Sequence, residues 1–162
     1  MPGSLQRTDE RFPFRPVRQI LSDRVPVVHW VAPQDTAARA LQLMAEHNIG
    51  LVVVLEGEQL VGVLSERDLA RYAGRTGSGA LRDLPVADLM TREVVVVGPE
   101  DPFGRCIALM EQHGVRHLPV VEGGRVVAVL SVRDLLREAV VHHRHVLDEV
   151  ERERLSIFQS PY

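Results

Sequence analysis

Apolar positions along the chain fall into two kinds of pattern that follow one another twice. In Ala37-Ala38-Arg39-Ala40-Leu41-Gln42-Leu43-Met44 they recur at three-to-four spacing, which predicts a helix of about 12 residues. Beyond it, Leu51 to Leu55 and Leu60 to Leu64 are β-branched or aliphatic runs parted by Glu56-Gly57-Glu58-Gln59, a hairpin signal. Ser65 then stands before Glu66-Arg67-Asp68, where a hydroxyl caps a second helix and acids favour its first turn. The same succession returns with a helix ending at Met110, runs Leu118 to Val121 and Val126 to Leu130 around Glu122-Gly123-Gly124-Arg125, and Ser131 before Val132-Arg133-Asp134. Val-rich stretches, Val25 to Val31 and Val94 to Val97, precede each copy and read as strands, with Asp35 and Asp101 at the expected caps of the first helices.

The two passages align without a gap at a shift of 66 positions. From Pro33/Pro99 to Leu69/Leu135, 16 of 37 pairs are identical, which marks an internal repeat. Upstream, Ile20-Leu21-Ser22 pairs with Leu89-Met90-Thr91 across a short insertion in the first copy. The unit is strand, helix, strand, strand, helix, so the fold class is α+β, two β-α-β-β-α repeats packed with pseudo-two-fold symmetry. A unit of about 50 residues is too small to bury its own sheet, and neither copy is expected to be stable alone. The expected divisions are an N-terminal strap over 1–19, a first repeat over 20–73, a Gly-rich mobile linker over 74–83, a second repeat over 84–137 and a helical extension over 138–162. In the strap, Arg11-Phe12-Pro13-Phe14-Arg15-Pro16 is expected to be extended, because its prolines exclude helix, and to cover an apolar groove. From Val132 to Phe158 the apolar residues Leu136, Val140, Leu147 and Val150, with His143 among them, predict one long amphipathic helix. It either packs on its own domain or clasps a second chain, and the shortage of other free faces favours a homodimer.

Composition narrows the class. Apolar residues are 45% and charged residues 25% of the 162, the usage of a folded globular chain, while 4% aromatics leave the core to Val, Leu, Ile and Ala. A net charge of -3 gives no global basic field for nucleic acid or anionic membrane. The apolar runs are far shorter than a bilayer span, and a single cysteine, Cys106, excludes an internal disulfide. A cytoplasmic protein is the expectation. Cys106 matches Ala40 on the apolar helix face and reads as a small buried residue. His142, His143 and His145, with Asp148 and Glu149, share helix faces, but they lie outside the repeat, and exposed histidines explain them better than a metal site.

The tandem copies, Arg116-His117-Leu118-Pro119-Val120-Val121, Gly62-Val63-Leu64-Ser65-Glu66-Arg67-Asp68 and Ala128-Val129-Leu130-Ser131-Val132-Arg133-Asp134 resemble the paired CBS domain, or Bateman module. The resemblance covers about Ile20 to Arg137, and the wording around Asn48-Ile49-Gly50 is similar to stand-alone bacterial two-CBS proteins. It implies a regulatory, non-catalytic module that binds an adenosine compound (AMP, ADP or ATP, with S-adenosylmethionine or NAD as further candidates) between the copies and acts on a regulated protein in trans. One cleft would combine Ser65, Arg67 and Asp68 with Thr91, Val95, Val115, Arg116 and His117. The other would combine Ser131, Arg133 and Asp134 with Val27, Val28, Ile49, Gly50 and Leu51.

The chemistry fits those roles, since an ionised Asp accepts hydrogen bonds from both hydroxyls of a ribose, and a Ser hydroxyl with exposed N–H groups at a helix start suits a phosphate. Arg116 and His117 favour phosphorylated ligands in the first cleft, whereas Gly50 and Leu51 occupy the matching places in the second. Ala128, in place of the family glycine kept at Gly62, also counts against the second cleft. The competing reading of Ser65 and Asp68, and of Ser131 and Asp134, is plain helix capping. Arg67 and Arg133 read equally well as solvated helix charges. At the level of the whole chain, the alternative to a sensor is a dimerisation scaffold with empty clefts. No catalytic constellation stands out.

Overall fold

The computed structural model describes residues 13–77 and 79–159. Residues 1–12 of the expected strap, Ser78 of the linker and residues 160–162 lie outside them. The order is α1 (Val17–Leu21), β1 (Trp30–Val31), α2 (Ala37–His47), β2 (Leu51–Glu56), β3 (Gln59–Ser65), α3 (Glu66–Thr76), α4 (Phe103–His113), β4 (His117–Glu122), β5 (Arg125–Ser131) and α5 (Val132–Gln159), with two 3-10 turns at Leu81–Asp83 and Val86–Asp88.

Each repeat carries an antiparallel hairpin turned at a positive-φ glycine, Gly57 in the first and Gly123 in the second. The register slips at the same place in both, between Val54 and Leu55 and between Val120 and Val121. The first helices stop on left-handed caps, Asn48 and Gly114. Ala40 and its counterpart Cys106 are both buried, and burial pushes the thiol up to about 11, so it stays protonated.

The expected first strands are much shorter than their composition implied. Only Trp30–Val31 pairs, parallel to β2, and the second copy keeps a single bridge from Val97 to Val120. Val25 and Val27 are exposed, so β-branched residues keep this stretch extended without a partner strand to make a ladder. Asp35 and Asp101 do not cap helices. Their carboxylates accept from the N–H of Ala32 (2.8 Å) and Gly98 (2.7 Å), bracing the preceding turn, while Thr36 caps α2 and Pro102 begins α4 without a side-chain cap. Gly74, expected to open the mobile linker, is inside α3, which runs on to Thr76. Likewise α1 begins within the expected strap, immediately after Pro16, and crosses its boundary at residue 19.

Two hydrophobic cores form, and each borrows from the far side of the chain. Val17, Ile20 and Leu21 are buried with Val97, Cys106, Met110, Leu118, Leu130 and Leu135 of the second repeat. Leu81 and Val86 are buried with Val31, Met44, Val52, Leu64 and Leu69 of the first. The N–H groups of Val17 and Arg18 donate to the carbonyls of Asp101 and Pro99, and those of Val86 and Ala87 donate to Asp35 and Pro33, the same pair of bonds in both repeats. The segment that leads into each repeat therefore completes the other repeat's core. Burying a large aliphatic side chain contributes roughly 1.5–3 kcal/mol, so either copy cut loose from this exchange loses several such contributions.

The long helix is realised as one unbroken element from Val132 to Gln159. Phe14, just before α1, stacks on Phe103 of α4 (4.2 Å between centroids) and on His142 of α5 (3.7 Å). Arg15 donates to both carboxylate oxygens of Glu138, which is 3% exposed. The expected strap is thus anchored to α5 over residues 14 and 15.

Candidate functional site

Both Ser-x-x-Asp sequences lie where a strand runs directly into a helix, β3 into α3 and β5 into α5. In the first, the Asp68 N–H donates to Ser65 Oγ (3.2 Å), and Asp68 Oδ2 accepts from the Ser65 N–H (3.0 Å) and hydroxyl (2.7 Å). Ser131 and Asp134 repeat the arrangement at 3.3, 2.8 and 2.9 Å. These are reciprocal caps, so the capping role is real in both copies. It consumes one carboxylate oxygen and leaves the other available for a second task.

The elements around the first helix start come from both repeats. Thr91 pairs with Val63 of β3 through both backbone groups (2.9 and 3.0 Å), and the Arg67 guanidinium donates to the Gly114 carbonyl (3.2 Å), next to Val115. Val95 and Val115 are half-buried against the second repeat's core, and Arg116 is exposed. His117, half-buried, faces the middle of the molecule: a methyl placed on Gly50 would stand 3.7 Å from its Cε1 and 3.5 Å from Glu66 Oε2. Burial lowers the His117 pKa from its ordinary 6.5, Arg116 adds to the fall and Asp134 opposes it. Gly50 and Arg116 each accept, through their carbonyls, from the first N–H of their own repeat's helix, Glu66 (3.0 Å) and Val132 (2.9 Å).

The second helix start differs. Asp134 is 7% exposed, while Asp68 is only half-buried. Arg24, in the turn that follows α1, reaches Asp134 and also donates to the Val129 carbonyl. Arg133 is exposed, and Ile49 is half-buried beside the first repeat's core. Val28 lines an open groove of about 340 Å³ with Trp30, Leu55, Glu58 and Val126; Ser131 and Asp134 are not among its lining residues. Val27 is exposed and Leu51 pairs with Ser65 across the β2–β3 ladder.

Sequence reasoning missed Arg24. It falls in the insertion where the two copies cease to align, so no counterpart pointed to it. It also missed the Arg15–Glu138 pair, although Glu138 one turn after Asp134, on the face of Leu135, was a visible sign of a buried acid. The role given to Gly62 changes as well. A Cβ there would meet Met90 Sδ at 2.6 Å and the Thr91 carbonyl at 3.0 Å, so glycine is needed for the approach of the exchanged segment, not of a ligand. Ala128 is consequently no evidence against the second cleft.

The CBS-domain family model matches residues 17–75 and 86–141. The chain belongs to the CBS-domain family. As a CBS pair it is a regulatory, non-catalytic module. The mitochondrial CBS domain-containing protein CBSX3 of Arabidopsis thaliana is 35% identical over 126 residues, 75% of this chain and 61% of that protein's length. The solved CBS-domain structure NE2398 is 35% identical with a TM-score of 0.74, covering 78% of this chain and 98% of that one. The CBS domain pair of protein MJ0100, solved in complex with 5'-methylthioadenosine and S-adenosylmethionine, shares the fold at a TM-score of 0.66 and 23% identity, covering 77% of this chain and 95% of that one. Among the described residues no helix is long and apolar enough to cross a membrane.

Proposed function

We propose that this CBS pair is a cytoplasmic sensor that binds an adenosine compound (AMP, ADP, ATP, S-adenosylmethionine or NAD) in the clefts between its repeats and relays occupancy to a regulated protein in trans. The observation that carries this reading is the Ser65–Asp68 helix start. Its cap uses only Asp68 Oδ2, its arginine reaches the opposite repeat at Gly114, and Thr91 of the exchanged segment runs beside it. A ribose diol would take Asp68 Oδ1, the Ser65 hydroxyl and helix N–H groups would meet a phosphate, Arg67 and Arg116 would add charge, and His117 would add a ring N–H donor. Val95 and Val115 supply aliphatic walls for the base. The fold shared with a CBS pair that holds S-adenosylmethionine supports this class of ligand.

Assembly as a homodimer belongs to the same reading. Leu136, Val140, His143, Leu147 and Val150 follow one another at alternating four- and three-residue steps along α5, and the four apolar ones are each more than half exposed. That spacing forms a seam suited to a second copy of the helix. Light scattering of the purified chain gives twice 18.1 kDa if the seam is used, and Leu147→Glu returns it to the monomer mass.

Thermal denaturation with each of the five ligands at millimolar concentration tests the sensor reading. A ligand at 100 times its Kd adds about 2.7 kcal/mol, which raises Tm by roughly 5 °C or more for a chain of this size. The shift is lost in Asp68→Ala. If no ligand moves Tm, the sensor reading falls and the scaffold with empty clefts replaces it.

A further inference from the structure

Val63 and Val129 occupy equivalent positions, 66 residues apart, on the strands that lead into the two helix starts. At Val63 both backbone groups are taken by the backbone of Thr91, at 2.9 and 3.0 Å. At Val129 the carbonyl is taken by a side chain instead: Arg24 Nη2 donates to it at 2.9 Å. The same guanidinium continues onto the carboxylate that the second cleft would offer to a ribose. Nε lies 3.3 Å from Asp134 Oδ1, and Nη2 lies 3.2 Å from Oδ2. Arg137 approaches Oδ1 more distantly, at 3.7 Å.

The two carboxylates are therefore in different states of engagement. Asp134 Oδ2 serves the Ser131 cap and Arg24, and its Oδ1 faces Arg24 as well. Among the described residues Asp68 forms no ion pair, and its Oδ1 accepts no hydrogen bond. An entering diol finds an open oxygen at Asp68 and an occupied one at Asp134. Because a hydrogen bond between charged groups is stronger than one to a neutral hydroxyl, a ribose gains little by exchanging places with a guanidinium. Arg24 is nonetheless about one-third exposed and sits on chain without regular structure between α1 and β1, so its side chain has somewhere to go.

We infer that Arg24 holds the second cleft shut: its guanidinium occupies Asp134 and the Val129 carbonyl, so an adenosine ligand enters there only by displacing it, and the first cleft fills first. This rests on the sensor reading above and adds a gate to one of its two sites. It makes the module a two-threshold device, with one cleft responding at low ligand concentration and the other only when the ligand outcompetes an internal cation.

Calorimetric titration of the full chain with AMP, ATP and S-adenosylmethionine, in separate runs, tests this. In the wild type one site per chain fills first, and Asp68→Ala removes it. Arg24→Ala gains a second site at least about tenfold tighter than any second site of the wild type, the scale expected for losing a charge-assisted contact, and adding Asp134→Ala abolishes the gain. Arg24→Gln, which keeps a donor for the Val129 carbonyl but no charge, shows the same gain and guards against a folding defect in Arg24→Ala. Equal binding by wild type and both variants overturns the inference and leaves the sensor reading standing. Weaker second-site binding in the variants also overturns it, placing Arg24 among the ligand contacts. Absence of binding by all three ligands to all three proteins overturns both.

Discussion

The two lead-in segments do the same job by different means. Residues 17–24 and 81–91 each cross to the opposite repeat, bury aliphatic side chains in its core and donate the same two backbone bonds to its Pro-x-Asp turn. Beyond those shared bonds they diverge. The second segment finishes on neutral backbone pairing, Thr91 against Val63 and Pro85 against Thr36. The first is held by arginines: Arg15 on Glu138 and Asp23, Arg18 on Glu100 and Glu122, and Arg24 on Asp134. The only buried charged residues among those described, Asp134 and Glu138, are both in the second repeat and both face this segment. A duplicated unit has thus kept its core and its Ser-x-x-Asp caps and has changed the chemistry of its attachments.

The strongest way to break the comparison is to remove a cation from the charged side. Glu138 is 3% exposed and takes both its ion pair and its backbone donor from Arg15. Stripping the partner from a buried carboxylate costs about 3–5 kcal/mol, reduced here because the Arg15 side chain is itself one-third exposed, so Arg15→Ala is expected to lose about 2–3 kcal/mol in urea denaturation. Arg18→Ala, whose pairs are solvated, should leave the urea midpoint almost unmoved. Equal losses at both sites would show that the buried acid is not what anchors the segment.

Helices α2 and α4, both hairpins and both caps were legible because each is specified locally: apolar spacing, a turn glycine, and a serine three residues ahead of an aspartate. The exchange of lead-in segments was not. Ile20 and Leu89 are equivalent apolar residues, and nothing in an alignment of copies says which core either one enters. The Val25–Val31 stretch misled for a related reason, since a β-branched run declares an extended backbone but a ladder depends on a partner supplied from elsewhere. Within the site, Ser65, Asp68, Ser131 and Asp134 came directly from the repeat. Arg24 did not, because it occupies the stretch where the copies have no common register, and that is where the two helix starts become different.

Position 62/128 sharpens the comparison at a second point. Gly62 lies under Met90 and Thr91, and while the Met90 thioether can swing aside, the Thr91 carbonyl is backbone and already paired with Val63. Gly62→Ala is therefore expected to cost about 1–3 kcal/mol through the displacement it forces. The reverse change at the equivalent site, Ala128→Gly, removes a buried methyl and costs about 1 kcal/mol. Thermal melts of the two variants check this, and a harmless Gly62→Ala would mean that the Met90–Thr91 segment is not pressed onto β3 as described.

The smallest effect is on pH dependence, and it also separates the copies, because His117 and His29 align with Leu51 and Val95. Burial lowers the pKa of both histidines from 6.5; Arg116 reinforces the fall at His117, and the stacked His47 reinforces it at His29. A histidine whose folded pKa lies below its unfolded one binds fewer protons in the native state, so stability rises with pH over that interval. The contribution is complete above pH 6.5, is lost as pH falls through 6.5, and levels off below the folded value. Arg133 acts at His117 in the same direction as Arg116, while Asp134 and Glu66 oppose both, which keeps the effect modest. Urea denaturation at pH 5, 6, 7 and 8 should show a shallower loss of stability on acidification in His117→Gln than in the wild type. The steeper wild-type slope should persist in His113→Gln, an exposed histidine on α4. If both variants track the wild type, burial does not lower the His117 pKa.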